Sequence, residues 1–430
     1  MTLTGRAALA AVAAVAVIVA FPAAVTLLAV NVVILAALGA DLVLAASPRA
    51  LRVSRSGQAR IHLRESGTVT LSVVNQGRRP LRAVVRDGWR PSAGARPPRF
   101  AIDLAPGHAA TLTTTLVPHR RGDVAGGLVT VRSLGPLGLA ARQRSLPAPW
   151  TVRVLPEFAS RRYLPEKLAR LRELDGQHRS LLRGQGSEFD SLRAYVLGDD
   201  VRSIDWRSSA RRGDVLVRTW RPERDRRIII AVDTGRTAAG RVAGVPRLDA
   251  CMDAALLLSA VAIRAGDRVD LIAADRRVRT QIMGAARNEA LAAFTSELAL
   301  LEADLVEPDI GLLTATVLQV AAQRCLVVLL TDLSPAAMEQ GLLPHVRLLS
   351  ARHQLMVAAV ADPRLAEMAR DHSDATAIYG AAAAVRAESG RAHVSALLRR
   401  HGVEVVDAPP DQLAPALTDA YLNLKSAGRL

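Results

Sequence analysis

The feature that most constrains this chain is an apolar run of about 40 residues, 7–46, AALAAVAAVAVIVAFPAAVTLLAVNVVILAALGADLVLAA, whose strongly polar members are Thr26, Asn31 and Asp41. One straight helix of that length would extend about 60 Å, roughly twice the hydrocarbon thickness of a bilayer. Two membrane spans fit better than one. Pro22 sits between the halves, lacks a backbone donor, and is the natural point of reversal. The first half is short and alanine-rich, a weak span by itself. Arg6 precedes the run and Arg49, Arg52, Arg55 and Arg60 follow it, so a hairpin (residues 1–46) would keep both termini in the cytoplasm, with the cell membrane as its location. The alternative makes residues 1–24 a cleaved secretory signal, with Arg6 in its basic segment and the second run as sole anchor. The directness with which the second run follows favours the hairpin. Asn31 reads as a hydrogen-bonding partner between packed spans.

Beyond the run the pattern changes. Residues 47–155 break into short alternating segments, among them LRVSR, TVTLSVVNQG, LRAVVRDG, FAIDLAPG, AATLTTTLVPH and WTVRVLP, punctuated by NQG, RDG and PG. That spacing predicts an immunoglobulin-like β-sandwich of about seven strands. His62, His108 and His119 are isolated within it and read as surface or turn residues.

Residues 228–430 alternate continuous apolar strands (IIIAV, RVDLIAA, CLVVLLT, HQLMVAAV, VEVVDA) with helical stretches, the pattern of a mostly parallel sheet covered on both faces. At 430 residues and 50% hydrophobic, the chain can bury such cores. Cys251 and Cys325 fall in apolar segments without metal-ligand or redox spacing and read as buried thiols.

In doubly wound sheets the loops leaving the carboxyl ends of the strands carry the site. Two acids stand there: Asp233 closes IIIAVD and Asp332 closes VVLLTD. The first loop, DTGRTAAG, sets Asp233, Gly235 and Thr237 at i, i+2 and i+4. Here the chain resembles a von Willebrand factor A domain, whose metal-ion-dependent adhesion site uses an Asp-x-Ser-x-Ser loop, a Thr from a second loop and an Asp from a third. The resemblance implies Mg²⁺ held by Asp233, Thr237 and Asp332, with Asp309 of EPDIGLLTATV at the second-loop place and Thr314 further along. The pattern is degenerate, because Gly235 offers no oxygen where the first Ser belongs and Mg²⁺ demands a full octahedral oxygen shell. The alternative is that these acids cap helices and satisfy loop amides.

Residues 156–227 connect the two regions, and within them lies the chain's most distinctive stretch, GSEFDSLRAYVLGDDVRSIDWRSSARRGDVLVRTW. It resembles the signature of the bacterial family of domain of unknown function 58 at Glu188, Phe189, Arg193, Tyr195, Gly198, Asp199, Asp200, Arg202, Asp205, Trp206, Ala210 and Arg211. HRRGDVAGGLVTVRSLGPLGL and RHQLMVAAVADPRL extend the likeness over almost the whole chain. The resemblance implies a membrane-anchored protein with an A-like domain, often associated with a MoxR-type AAA+ ATPase.

Chemistry gives the signature an independent reading. Arginine forks pair bidentately with carboxylates and stack on aromatics, so the segment suits a scaffold that locks a turn-rich connection in place. The rival reading makes Glu188, Asp199, Asp200 and Asp205 a carboxylate metal site of a hydrolase. No nucleophile with an adjacent base accompanies them. The net charge of +16 invites a nucleic-acid reading. Nearly every signature arginine, however, has an acid within a few positions, so no specific nucleic acid is expected. Arg161, Arg162, Lys167, Arg170 and Arg172 are less balanced and suit attraction to the lipid bilayer. The expectation is a non-enzymatic adaptor, membrane-anchored, that presents its A-like domain to a protein partner.

Overall fold

The computed structural model describes residues 2–181, 188–221, 226–335 and 338–430, with side chains described outside 175–190, 219–225, 339 and 340. The chain forms two compact units, Met1–Glu157 and Phe158–Leu430.

The first unit opens with two apolar helices, α1 (Gly5–Ala20) and α2 (Ala24–Leu44). The break falls where Pro22 removes a donor. Of the two, α2 begins the one stretch long and apolar enough to cross a membrane among the described residues, Ala24–Ala50, and α1 is shorter. Small side chains, Ala10, Ala13, Ala14 and Ala29, line the cleft between them. Asn31 does not bridge the helices: its amide donates to the Leu27 carbonyl of its own helix at 2.8 Å.

The strands that follow are β1 (Thr2–Leu3, preceding α1), β2 (Leu51–Gly57), β3 (Arg60–His62), β4 (Gly67–Asn75), β5 (Leu81–Arg86), β6 (Phe100–Leu104), β7 (Ala109–Leu116), β8 (Gly122–Ala125), β9 (Val129–Leu134), β10 (Ala140–Leu146) and β11 (Thr151–Leu155). They form sheets ordered β1-β10-β9-β5-β6, β2-β4-β7 and β3-β11-β8. Alternation along β4 and β5 turns Leu71, Val73, Leu81 and Val85 into one sandwich core. Two strands, β8 (GDVA) and β10 (AARQRSL), carry too few apolar residues to be read from the sequence. Arg55 is no membrane-flanking charge. It lies buried, paired with Asp87 at 2.6 Å and stacked over Trp89.

Asp41 makes three of the side-chain bonds that tie the helices to the sandwich. Asp41, fully buried near the end of α2, accepts N–H bonds from Leu137 (2.7 Å), Leu139 (2.6 Å) and Ala140 (2.8 Å). A Cβ at Gly135 would overlap that carboxylate, so the turn before β10 needs glycine there. Thr4 adds a hydroxyl bond to the Gly138 carbonyl at 2.5 Å.

In the second unit, β14 (Arg227–Asp233) runs parallel to β17 (Arg268–Ala274) on one side and β19 (Leu326–Leu330) on the other. Beyond β19 lie β20 (Gln354–Val360) and β21 (Glu404–Ala408), both parallel, and β17 is edged by antiparallel β18 (Val278–Ile282). Counted along the chain within this sheet, the order is 3-2-1-4-5-6, that of a doubly wound α/β domain. Side chains of period two feed two cores. Ile228, Ile230 and Val232 face α5 (Arg247–Arg264), α6 (Arg287–Leu298) and the C-terminal helix Pro410–Ser426. Ile229 and Ala231 face α7 (Ile310–Val320) and the helices Leu343–Ser350 and Ala375–Arg400. Helix α3 (Leu164–Leu181) also belongs to this unit, and two of its supposedly lipid-directed cations are spent internally: Lys167 and Arg170 pair with Asp419 at 3.0 and 2.9 Å. Cys251 and Cys325 are buried, and burial pushes their thiols up to about 12 and about 11.

The Asp41 contact generates a prediction. Replacing Asp41 with Ala strands the Leu137, Leu139 and Ala140 amides, and each buried unmet donor costs about 1–3 kcal/mol. Hydrogen exchange on the full chain in detergent should show these amides losing at least tenfold of their protection, whereas equal protection would mean the turn holds itself.

Candidate functional site

The carboxyl ends of the central strands bring Asp233 and Asp332 together. Val232 pairs with Leu330 across β14 and β19, so Asp233 lies beside Thr331, the residue before Asp332. The Thr331 hydroxyl donates to Asp233 at 2.7 Å, and the Gly235 amide donates to its other oxygen at 2.7 Å. Burial pushes the Asp233 carboxyl above its usual range against the pull of these two donors, and the charges of Asp332 and Asp275 push the same way.

Asp332 has the opposite environment. Arg247, at the start of α5, and Arg391, within the helix Ala375–Arg400, each reach it at 2.9 Å. Burial alone would raise its carboxyl, but the two guanidinium groups outweigh burial and hold it low. Arg391 also pairs with Asp407 of β21 at 2.6 Å and donates to the Val360 carbonyl at 3.2 Å. A single guanidinium therefore joins the ends of β19, β20 and β21.

This arrangement does not fit Mg²⁺. Arg247 and Arg391 both engage Asp332 Oδ1 and supply the positive charge a cation would bring, and Asp233 spends both oxygens on donors of the chain. Gly235 cannot be replaced by the missing Ser, because a Cβ there would lie 2.9 Å from Pro308 Cδ and from the Val306 carbonyl. Asp309 is not a free loop ligand: it caps α7, accepting from the Leu312 amide at 2.8 Å. Thr314 lies inside that helix, buried. Thr237 sits half-buried in the turn after β14, where its carbonyl accepts from Gly240. Among the described residues no group of three or more His, Cys, Asp or Glu is placed to hold an ion. The expected set Asp233, Thr237, Asp332 and Asp309 is thus corrected to an arginine-neutralised cluster. The sequence spacing missed Arg247, Arg391, Thr331 and Asp407, which come from distant helices and strands and share no local motif.

The signature stretch builds its own small element. β12 (Glu188–Ala194) and β13 (Leu216–Arg221) pair as an antiparallel hairpin, with Phe189 opposite Trp220. Between them each acid has a separate duty. Asp199 receives both arms of Arg193 at 2.7 and 2.5 Å and the Val196 amide at 2.9 Å, and the Arg193 bond followed by that amide holds its carboxyl low. Asp200 accepts the Arg202 amide at 2.9 Å and starts a short 3-10 turn. Asp205 caps α4 (Trp206–Arg212) through the Ser208 amide at 2.9 Å and pairs with Arg218 at 2.9 Å; those two partners, in that order, lower its carboxyl. Gly198 takes a φ of 108°, which only glycine adopts without strain. Tyr195 is fixed through its amide to the Val215 carbonyl at 2.8 Å, while Ala210 and Arg211 lie exposed on α4. The carboxylate centre expected of a hydrolase is therefore not assembled from Asp199, Asp200 and Asp205. The Glu188 side chain lies outside the described residues. The described acids of the stretch bond to groups of the same element.

Residues 191–373 match the family model described as protein of unknown function DUF58. Over that segment the chain is similar to the DUF58 family. It is similar to uncharacterized proteins of Mycobacterium tuberculosis (strain H37Rv) and Mycobacterium bovis, 26% identical over 198 residues, covering 45% of this chain and 61% of theirs. The chain thus spans about three fifths of those relatives' length. Among solved structures it is similar to the SpRpn10 VWA domain (12% identity, TM-score 0.27, covering 46% of this chain and 93% of that one). It is also similar to the CARDB domain of the PF1109 protein from Pyrococcus furiosus (17%, TM-score 0.19, 24% and 91%). The DUF58 match starts inside the signature hairpin and covers both halves of the arginine-neutralised cluster up to Asp332, while Arg391 and Asp407 lie beyond it.

Two titration behaviours follow. Asp233 has a folded pKa above its unfolded value, so the stability tied to its neutral form is present below the ordinary carboxylate range and is lost as pH rises through the folded value. Asp233→Asn should remove that slope from a melting-temperature profile of the full chain. Asp332 is depressed, so its ion-pair stability is present above the ordinary range and lost in acid. Arg391→Ala, which leaves buried Asp332 with Arg247 alone and strips the exposed Asp407 of its partner, should lower the melting temperature at neutral pH. A melting temperature equal to wild type would contradict the role given to Arg391.

Proposed function

We propose that this chain is a non-enzymatic, membrane-anchored adaptor whose A-like domain binds a protein partner, a MoxR-type AAA+ ATPase. Both apolar helices cross the bilayer as a hairpin and leave the folded units in the cytoplasm. Arg6 before the helices and Arg49 and Arg52 after them supply the flanking charge that this orientation asks for.

One observation carries the non-enzymatic reading. Most described acids at the two candidate centres are held by groups of the chain: Asp233 by Thr331 and Gly235, Asp332 by Arg247 and Arg391, Asp309 by the Leu312 amide, Asp199 by Arg193, and Asp205 by Arg218 and Ser208, while exposed Asp200 accepts the Arg202 amide alone. A general base or nucleophilic carboxylate has to face the substrate with a free lone pair. Carboxylates held in this way keep a shape, and a fixed shape serves recognition. The ATPase as partner comes from the family resemblance, and the relatives' names add no substrate.

Co-purification tests the reading. Full-length chain in detergent, mixed with the MoxR-type ATPase of the same organism, should give a saturable complex by light scattering and change the ATPase rate. Absence of a complex at concentrations up to about 100 μM, a range that covers weak transient interfaces, would sink it.

A further inference from the structure

The signature element is internally locked and buries Leu216 and Val217, yet five of its large apolar side chains are exposed. Val196, Leu197, Val201, Trp206 and Val215 are exposed to 61%, 96%, 58%, 66% and 45%. Backbone bonds hold them within one small module: Asp199 N to Val196 O, Tyr195 N to Val215 O, Ile204 N to Val201 O, and Asp205 N to Leu216 O. Around them Arg202, Arg207, Arg211 and Arg212 are exposed and make no ion pair among the described residues, while Arg193 and Arg218 of the same module are paired.

Local stability does not explain this choice. Arg207 and Arg211 stand four apart on α4, where like charges repel, and an exposed Trp beside them gains nothing in the isolated chain. Residues that break a local rule without a local gain mark a functional surface. Trp and Arg are also the side chains that carry most interface energy.

We infer that this module, residues 194–217, is the docking surface of the adaptor proposed above. Its occupant is a protein segment that inserts apolar groups against Leu197 and Trp206 and sets carboxylates against the unpaired arginines. The inference rests on the adaptor reading and deepens it by naming the surface. A lipid headgroup layer is the less favoured occupant for two reasons. Exposed Asp200 and Asp214 on the same module would oppose anionic lipid, and a fluid bilayer draws no benefit from the Arg193–Asp199 and Arg218–Asp205 locks. A protein partner does benefit, because a preformed surface loses less entropy on binding.

The test uses full-length chain in detergent with the purified MoxR-type ATPase as probe. Two double variants, Leu197→Ser with Trp206→Ser and Arg207→Glu with Arg211→Glu, change exposed side chains, and their melting temperatures should match wild type. Each should weaken the complex about tenfold or more, as loss of hot-spot side chains does. If wild type binds and both variants bind equally well, the docking surface lies elsewhere and this inference fails while the adaptor reading survives. If wild type does not bind, the adaptor reading fails, and this inference fails with it. A Leu197→Cys chain carrying an environment-sensitive fluorophore separates the lipid case. Cys251 and Cys325 are buried, with thiols pushed up, and should stay unlabelled. No emission change is expected on reconstitution into phosphatidylglycerol vesicles without the ATPase, and a blue shift there would replace the protein partner with the bilayer.

Discussion

The guanidinium of Arg391 is the interaction on which the rest of the α/β unit depends. It pairs with Asp332 at the end of β19 and Asp407 in β21, and it donates to the carbonyl that ends β20. In a parallel sheet the strand ends that carry function lie on one rim, where loops bring acids close together and repulsion has to be answered. A bound cation is one answer. In this chain two arginines from separate helices supply it, and Arg391 remains charged because Asp407 and Asp332 offset the burial that opposes it. Removing one partner from such a pair is far more damaging than the pair is stabilising, so the cluster acts as a fixed part of the fold.

Neutralisation from within changes what the rim can do. An ion with open coordination positions could be shared with a partner's carboxylate, whereas Arg247 and Arg391 are already committed to Asp332, and Arg391 to Asp407 as well. Under the proposed function, recognition falls to surfaces whose charges are unspent. The signature module is such a surface: its acids and two of its arginines hold its shape, and its remaining arginines and apolar side chains are exposed. The Asp41 contact is the same device at the other end of the chain, a buried carboxylate that fixes the approach of an apolar helix to a strand turn.

Much of the fold was legible because it follows from period and composition. IIIAV, CLVVLLT and HQLMVAAV announce buried parallel strands, and Pro22 between apolar runs announces a break. The strands β8 and β10 escaped, since GDVA and AARQRSL pair at the backbone with few apolar side chains to reveal them. Asp309 reads from the sequence as a second-loop ligand, whereas it caps α7, and only geometry separates the two. The long-range partners were invisible for a simpler reason. Nothing local distinguishes Arg247 or Arg391 from the chain's many other arginines, and nothing in the apolar run says that Asp41 turns inward. Arg55 misled for the converse reason, because a flanking charge and a buried ion pair look the same in sequence.

Divalent-cation binding by the purified full-length chain tests the central claim most directly. Titration with Mn²⁺, followed by the electron paramagnetic resonance of the free ion, should show no stoichiometric uptake, with melting temperature unchanged by added Mg²⁺ or by chelator. Uptake of one ion per chain that disappears in Asp332→Ala would contradict the account, because the carboxylate assigned to Arg247 and Arg391 would then have been serving a metal.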